Sequence, residues 1–276
     1  MKNKFIHLGA VALAATFTGA VAASAAGFIP HRAVYDLSLK EASDRSGINN
    51  MTGRIVYELK GSECEGYAAR YRFSTKVEIG GKTLVNDQRS TTFESADGKR
   101  FDFITQYFLN GQQEQDLRGS ASKSDTGITV ELKKPDEREV KLDPAIFMNQ
   151  HLEKIIEAAR QKETIYTAKV FDGSDNGDEL VDTTTIIGKK KANVGSFEGE
   201  PEKLGKKFDN STGWPVSVSY YKVNNIAGGG EKLPTYQVSF MLHEDGVSRN
   251  LTMQYEDYSM KGVLKEITYL KVGECE

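Results

Sequence analysis

Along most of the chain apolar and polar residues alternate with a period of two, the spacing at which successive strand side chains point to opposite faces. Over residues 67–79 one face carries Tyr67, Ala69, Tyr71, Phe73, Thr75, Val77 and Ile79, while the other carries Ala68, Arg70, Arg72, Ser74, Lys76 and Glu78. That is the pattern of a strand buried on one side. Leu251, Met253 and Tyr255 repeat it against Asn250, Thr252, Gln254 and Glu256, and the stretches 101–109 and 216–220 follow suit. Turn formers punctuate these runs: Gly80-Gly81, Asp97-Gly98, Asn110-Gly111 and Asp245-Gly246, all suited to the positive φ of tight hairpins.

Runs between turn signals predict seven or eight strands before residue 143 and six or seven after residue 163. Between them the spacing predicts one helix over 144–161. Asp143 would cap it and Pro144 would open it, with Ile146, Phe147, Leu152, Ile155, Ile156 and Ala159 recurring at helical intervals. Hairpins without βαβ alternation predict a mainly β chain, one large antiparallel sheet of about 14 strands in a single domain over 27–276. The helix is expected to pack against this sheet or to plug it.

The first 26 residues break the pattern. Lys2 and Lys4 precede an uncharged apolar stretch, 8–21, and Ala23-Ser24-Ala25 forms a small-x-small cleavage site, with Ser24-Ala25-Ala26 as a one-residue alternative. This predicts a cleaved secretory signal peptide over 1–26; the apolar stretch is too short for a span of about 20 residues. No cysteine stands at the cleavage site to carry a lipid anchor, and no further membrane segment is expected. The 36 Lys+Arg and 39 Asp+Glu are dispersed rather than blocked. That pattern excludes a nucleic-acid-binding tail and a disordered acidic chain, and losing the leader makes the remainder slightly more acidic.

Export gives meaning to the two cysteines, Cys64 and Cys275. In an oxidising compartment they are most simply one disulfide, although two free thiols or intermolecular bonds fit the count as well. Their separation allows neither a redox CxxC pair nor a zinc-type cluster.

Candidate chemistry is sparse. Asp172-Gly173-Ser174-Asp175-Asn176-Gly177-Asp178 spaces oxygen ligands as a calcium loop does, but its twelfth position is Thr183, where a bidentate glutamate belongs, and its flanks pattern as strands. A polar hairpin accounts for it equally well, and no metal or cofactor is expected. His31, His151 and His243 are too widely spaced for paired-ligand motifs and are expected to be structural. Lys189-Lys190-Lys191 is expected to be a solvated strand end, and Gly228-Gly229-Gly230 a loop tip. No nucleophile elbow, Walker loop or dinucleotide fingerprint is present, so no catalytic residue is assigned and no enzyme is expected. A curved sheet with a face rich in Tyr and Phe suits an apolar ligand or a docked partner better.

Several segments, in order, carry a resemblance: 30–37 (PHRAVYDL), Gln150-His151 through Ala158-Ala159-Arg160, Val170-Phe171-Asp172-Gly173-Ser174, Gly213-Trp214-Pro215-Val216, and the cysteine pair. Together, over 28–276, the chain resembles the EipB family of cell-envelope integrity proteins. The resemblance implies a periplasmic β-spiral wrapped near a helix, a half-open barrel similar to lipoprotein carriers, and one internal disulfide that would fall on Cys64 and Cys275. It also implies a role in envelope integrity under stress, with links to periplasmic tetratricopeptide-repeat proteins, and brings no catalytic residues. Two mechanisms follow as expectations: a scaffold or adaptor acting through protein contacts, or a carrier of a lipid or acyl chain on a concave face that would include Phe73 and Phe103.

Overall fold

The computed structural model describes residues 27–223, 233–273 and 275; the leader and the Gly228-Gly229-Gly230 tip lie outside them. The strands are β1 (His31–Ala42), β2 (Ile48–Ser62), β3 (Gly66–Ile79), β4 (Lys82–Glu94), β5 (Arg100–Leu109), β6 (Gln112–Ser124), β7 (Gly127–Lys134), β8 (Arg138–Leu142), β9 (Ile146–Phe147), β10 (Ile165–Phe171), β11 (Val181–Ile187), β12 (Lys191–Ala192), β13 (Thr212–Lys222), β14 (Tyr236–His243), β15 (Ser248–Gln254) and β16 (Tyr258–Tyr269). Two helices interrupt them, α1 (Met148–Arg160) and α2 (Glu202–Lys207). Apart from the two-residue β9 and β12, this is the strand inventory that the alternation predicts. Gly80-Gly81 and Asn110-Gly111 turn β3 into β4 and β5 into β6 with positive φ at both positions, as tight hairpins need.

All sixteen strands belong to one sheet, ordered β8-β7-β6-β5-β4-β3-β2-β1-β16-β15-β14-β13-β11-β10-β9, with β12 attached to β13. Pairing is antiparallel except between β9 and β10. The first and last long strands, β1 and β16, meet in the middle, and the two edges, β8 and β9, are consecutive in sequence. A flat sheet of this order would hold its edges roughly 65–70 Å apart at about 4.8 Å per strand. Four peptide steps from Leu142 to Ile146 reach at most about 14 Å. The sheet therefore has to curl until its arms face each other.

Where they face, Phe101 and Phe103 of β5 pack on Phe147 of β9 and Phe171 of β10, with ring centroids 5.2–6.3 Å apart. Leu117, Ala121, Ile128, Val130, Leu132 and Leu180 complete that cluster. At one end of the barrel, α1 lays Ile155, Ile156, Ala158 and Ala159 on Leu59, Tyr67, Trp214, Val216 and Leu242, drawn from both arms. The helix is thus a plug, as expected, but it begins at Met148 and not at 144. Asp143 and Pro144 belong to the short link, residues 146 and 147 are drawn into a strand beside β10, and Phe147 at the N-cap offers no side-chain cap.

Cys64, in the turn between β2 and β3, is bonded to Cys275 with Cα atoms 5.7 Å apart. The bridge pins the tail beyond β16 to a hairpin lying across β1. A loop of this length confers at most about 5 kcal/mol in the chain-entropy view. Cys64→Ser and Cys275→Ser should each lower the melting temperature by the same amount, and the double variant should add almost nothing. Additive losses in a thermal melt would mean that each cysteine stabilises the fold independently of the bond.

Candidate functional site

The inner face is set by strand register. Phe73, Thr75 and Val77 of β3 lie opposite Gln88, Asn86 and Leu84 of β4, and Gln88 lies opposite Tyr107 of β5. At the end away from α1 these residues, with Ile48, Met51, Ile79, Tyr258 and Met260, enclose an open-mouthed pocket of about 270 Å³. Its wall is two-sided in chemistry. Phe73, Met51, Val77 and Met260 are apolar, whereas Tyr107 donates to Asn86 Oδ1 at 2.7 Å and the Asn86 amide donates to Thr75 Oγ1 at 3.3 Å. Deeper in, Tyr220, Tyr236, Tyr255 and Tyr258 form a run of stacked rings, with centroids 4.3, 6.0 and 4.7 Å apart in succession. Burial pushes these phenols above their ordinary value, Tyr255 to about 12, so they stay neutral and offer hydroxyls rather than charge.

Phe73 therefore sits where a concave face was expected, and Phe103 does not line this pocket. It is fully buried against Phe171 and against Gly173, where a Cβ would come within 2.8 Å of the ring.

The same packing settles the calcium-like loop. Gly173 and Gly177 press on Phe103 and Leu132, so the loop is tucked into the barrel rather than projecting as a hairpin. Asp172 accepts the Ser174 N–H at 2.9 Å, Asp178 pairs with Arg138 at 2.5 Å and Asp175 with Lys222 at 3.6 Å. The carboxylates diverge to separate partners. Among the described residues no group of three or more His, Cys, Asp or Glu side chains converges on a metal position.

The three histidines are buried in three places. His31 Nδ1 donates to the Ile29 carbonyl at 2.7 Å. The Thr183 hydroxyl donates to Ala168 O, so its oxygen accepts from His151 Nε2 at 3.1 Å. His243 packs on Phe208, with ring centroids 4.9 Å apart. Burial lowers the pKa of all three, His151 and His243 to about 4. Of the basic cluster, Lys190 is committed to Glu244 at 2.5 Å and lies over the Trp214 ring.

Two buried ionic devices had no sequence signal. Glu94, 3% exposed at the end of β4, accepts the backbone N–H of Asn149 at 2.8 Å and of Gln150 at 3.1 Å, capping α1 from another strand. Burial raises its pKa to about 7, against the lowering effect of those two donors. Arg249, 0% exposed, is sandwiched between Phe197 and Phe208 and bound by both Glu200 carboxylate oxygens. It clamps residues 193–211, including α2, over the outer face of β14 and β15.

Alongside α1 runs a second and larger groove of about 930 Å³, bounded by Gly27, Phe28, Tyr67, the β4–β5 turn and the helix. No described helix is long and apolar enough to cross a membrane.

With this geometry in view, similarity to known proteins is decisive. The family model described as EipB-like matches residues 22–271. The chain belongs to the EipB-like family. It is 37% identical over 279 residues to the cell envelope integrity protein EipB of Brucella abortus (strain 2308), covering 98% of this chain and 97% of that protein. A crystal structure of a β-barrel-like protein of the domain DUF1849 from Brucella abortus superposes with a TM-score of 0.83 at 37% identity, covering 89% of this chain and all of that one. The β-barrel-like fold is thus shared with that solved structure, and the relative is named for envelope integrity rather than for a reaction.

The buried histidines and Glu94 contribute to the pH response with opposite signs. A histidine whose folded pKa lies near 4, against about 6.5 unfolded, contributes stability above pH 6.5 that is lost as pH falls toward 4. Glu94, with its folded pKa raised, acts in the opposite sense and costs stability as pH rises from about 4.5 through 7. Glu153 and Asp172, whose pKa values burial also raises, act in the same sense as Glu94, so the contributions are read from variants: the slope of the urea midpoint is followed between pH 6.5 and 4. His151→Gln should flatten that slope and Glu94→Gln should steepen it; a slope unchanged in both variants would contradict these assignments.

Proposed function

We propose that this family member is exported to the periplasm after removal of residues 1–26, and that it maintains the cell envelope as a non-enzymatic scaffold or adaptor working through protein contacts. The observation that carries this reading is the 37% identity, along nearly the whole chain, to a protein named for envelope integrity. The architecture supports it. Its polar machinery, Glu94 on α1 and Glu200 on Arg249, is occupied in holding elements in place, and the larger concavity lies on the surface along α1. A periplasmic tetratricopeptide-repeat protein, whose own concave surface is lined by helices, fits such a helix-walled groove.

Depleting the protein should sensitise cells to detergent, and wild-type protein should restore survival. Glu157→Lys, a charge reversal on the exposed side of α1, should accumulate to the wild-type level yet fail to restore it. Unchanged survival on depletion, or full rescue by the variant, would defeat this reading.

A second reading is favoured by the open-mouthed pocket, whose apolar wall and polar strip suit a lipid or acyl chain. Native mass spectrometry of detergent-free periplasmic protein should then reveal an added acyl mass that Phe73→Ala loses while remaining folded. Phe103→Ala is the contrasting variant. It should cost about 3–5 kcal/mol of stability and leave the pocket's lining intact. A bare mass for the wild type, or an adduct retained by Phe73→Ala, would count against the carrier.

A further inference from the structure

The groove along α1 has an unbalanced charge. Of its carboxylates, Glu94 is satisfied by the helix N-terminus, Asp97 by the Ser95 hydroxyl and the Lys99 N–H, and Glu157 by Lys154. Glu63 and Glu153 remain. Among the described residues neither makes an ion pair or hydrogen bond, and each lies close enough to feel the other: burial and then Glu63 raise the pKa of Glu153, and burial and then both carboxylates raise that of Tyr67. Lys154, paired with Glu157, only partly offsets Glu153, and two carboxylates on one wall beside the buried Tyr67 phenol call for a further cation.

The chain itself supplies one. Gly27 lies against Glu63, so close that a Cβ there would stand 2.7 Å from its carboxylate oxygen and would run into the Tyr67 hydroxyl, and Glu153 lines the same groove. The next residues are fixed. Phe28 is buried, its ring 5.4 Å from that of Tyr67 and its backbone N–H hydrogen-bonded to the Tyr67 hydroxyl, and the Ile29 N–H donates to Asp245 O at 3.1 Å. Hydrolysis of the peptide bond after Ala25 or after Ala26 places a new α-ammonium on Ala26 or Gly27, within one residue of the pair. In the precursor the same position is a neutral amide.

We propose that the α-ammonium created by leader removal is the counter-ion of Glu63 and Glu153, fastening the mature N-terminus between the β2–β3 hairpin and α1. Glu63 is next to Cys64, so this contact and the bridge to Cys275 anchor both ends of the mature chain to one hairpin. Release of the leader then does more than detach the chain from the membrane. It replaces a carboxylate repulsion at the plug helix with an ion pair.

The inference rests on export with cleavage as read above, and N-terminal sequencing of secreted protein tests that separately. A start upstream of Ala26, or an uncleaved chain, would remove the premise itself. Given a start at Ala26 or Gly27, the mature protein is reductively methylated with ¹³C-formaldehyde and its α-amine titrated by NMR, where it is distinguished from lysines by its lower pKa. The α-amine should titrate roughly half a unit or more above its usual 7.7–8.0, and the Glu63→Gln, Glu153→Gln double variant should return it to that range. Both substitutions are conservative and at exposed positions, and an intact disulfide with an unchanged circular dichroism spectrum verifies folding. An α-amine that titrates identically in wild type and double variant would overturn the proposal, as would an N-terminally acetylated mature chain with an unchanged melting temperature.

Discussion

Three residues, 143–145, join the two edges of a sixteen-stranded sheet, and the rest of the architecture follows from that short tether. It obliges the sheet to curl, brings Phe101 and Phe103 on one arm against Phe147 and Phe171 on the other, and buries a cluster that neither arm could bury alone. It also limits the liability of open edges. β9 is only two residues long and runs straight into α1, and β8 is five residues long and carries Arg138, Glu139 and Lys141. Short and charged edges of this kind resist pairing with another chain.

The tether also explains the helix cap. Asp143 and Pro144 would start a helix in isolation, but they lie in the link between β8 and β9, where the chain bends at Pro144, and Asp143 turns instead to Lys169 at 2.9 Å. The first turn of α1 is left with open N–H groups, and Glu94 answers them from the far end of β4. Because that carboxylate is buried, its two backbone donors are a condition of its being there. A plug helix held by its N-terminus to one arm and by its apolar face to both arms has little freedom to leave.

What was legible in the sequence was what repeats locally. The alternation over 67–79 gives the inner face of β3 residue by residue, and Asn110-Gly111 gives the hairpin. What was not legible depends on neighbours distant in the chain. Glu94 ends an alternating strand and nothing nearby marks it as a cap. Arg249 shares its parity with Leu251 and Met253, but a bulge at Asn250, with φ near 52°, turns it to the other face, where it meets Glu200, Phe197 and Phe208. The calcium-like loop followed ordinary turn chemistry, but its glycines serve close packing on Phe103 as much as turning. The larger groove left no local mark, because its lining comes from residues 27–28, 63–67, 94–98 and 149–161, which only the fold gathers.

The same dependence on distant partners bears on folding. β1 is paired on one side by β2, but its other neighbour is β16, the last strand made. Cys64 waits for Cys275, 211 positions later, and Glu200 waits for the strand that carries Arg249. Hairpins such as β3–β4 close locally, yet their inner face finds no cover until β9, β10 and α1 arrive, and the barrel has no shut seam until the C-terminal arm is complete. Pairing of such high sequence separation is slow to nucleate, since loop closure must precede the contacts that offset it. A chain built this way stays open until its last strand is present.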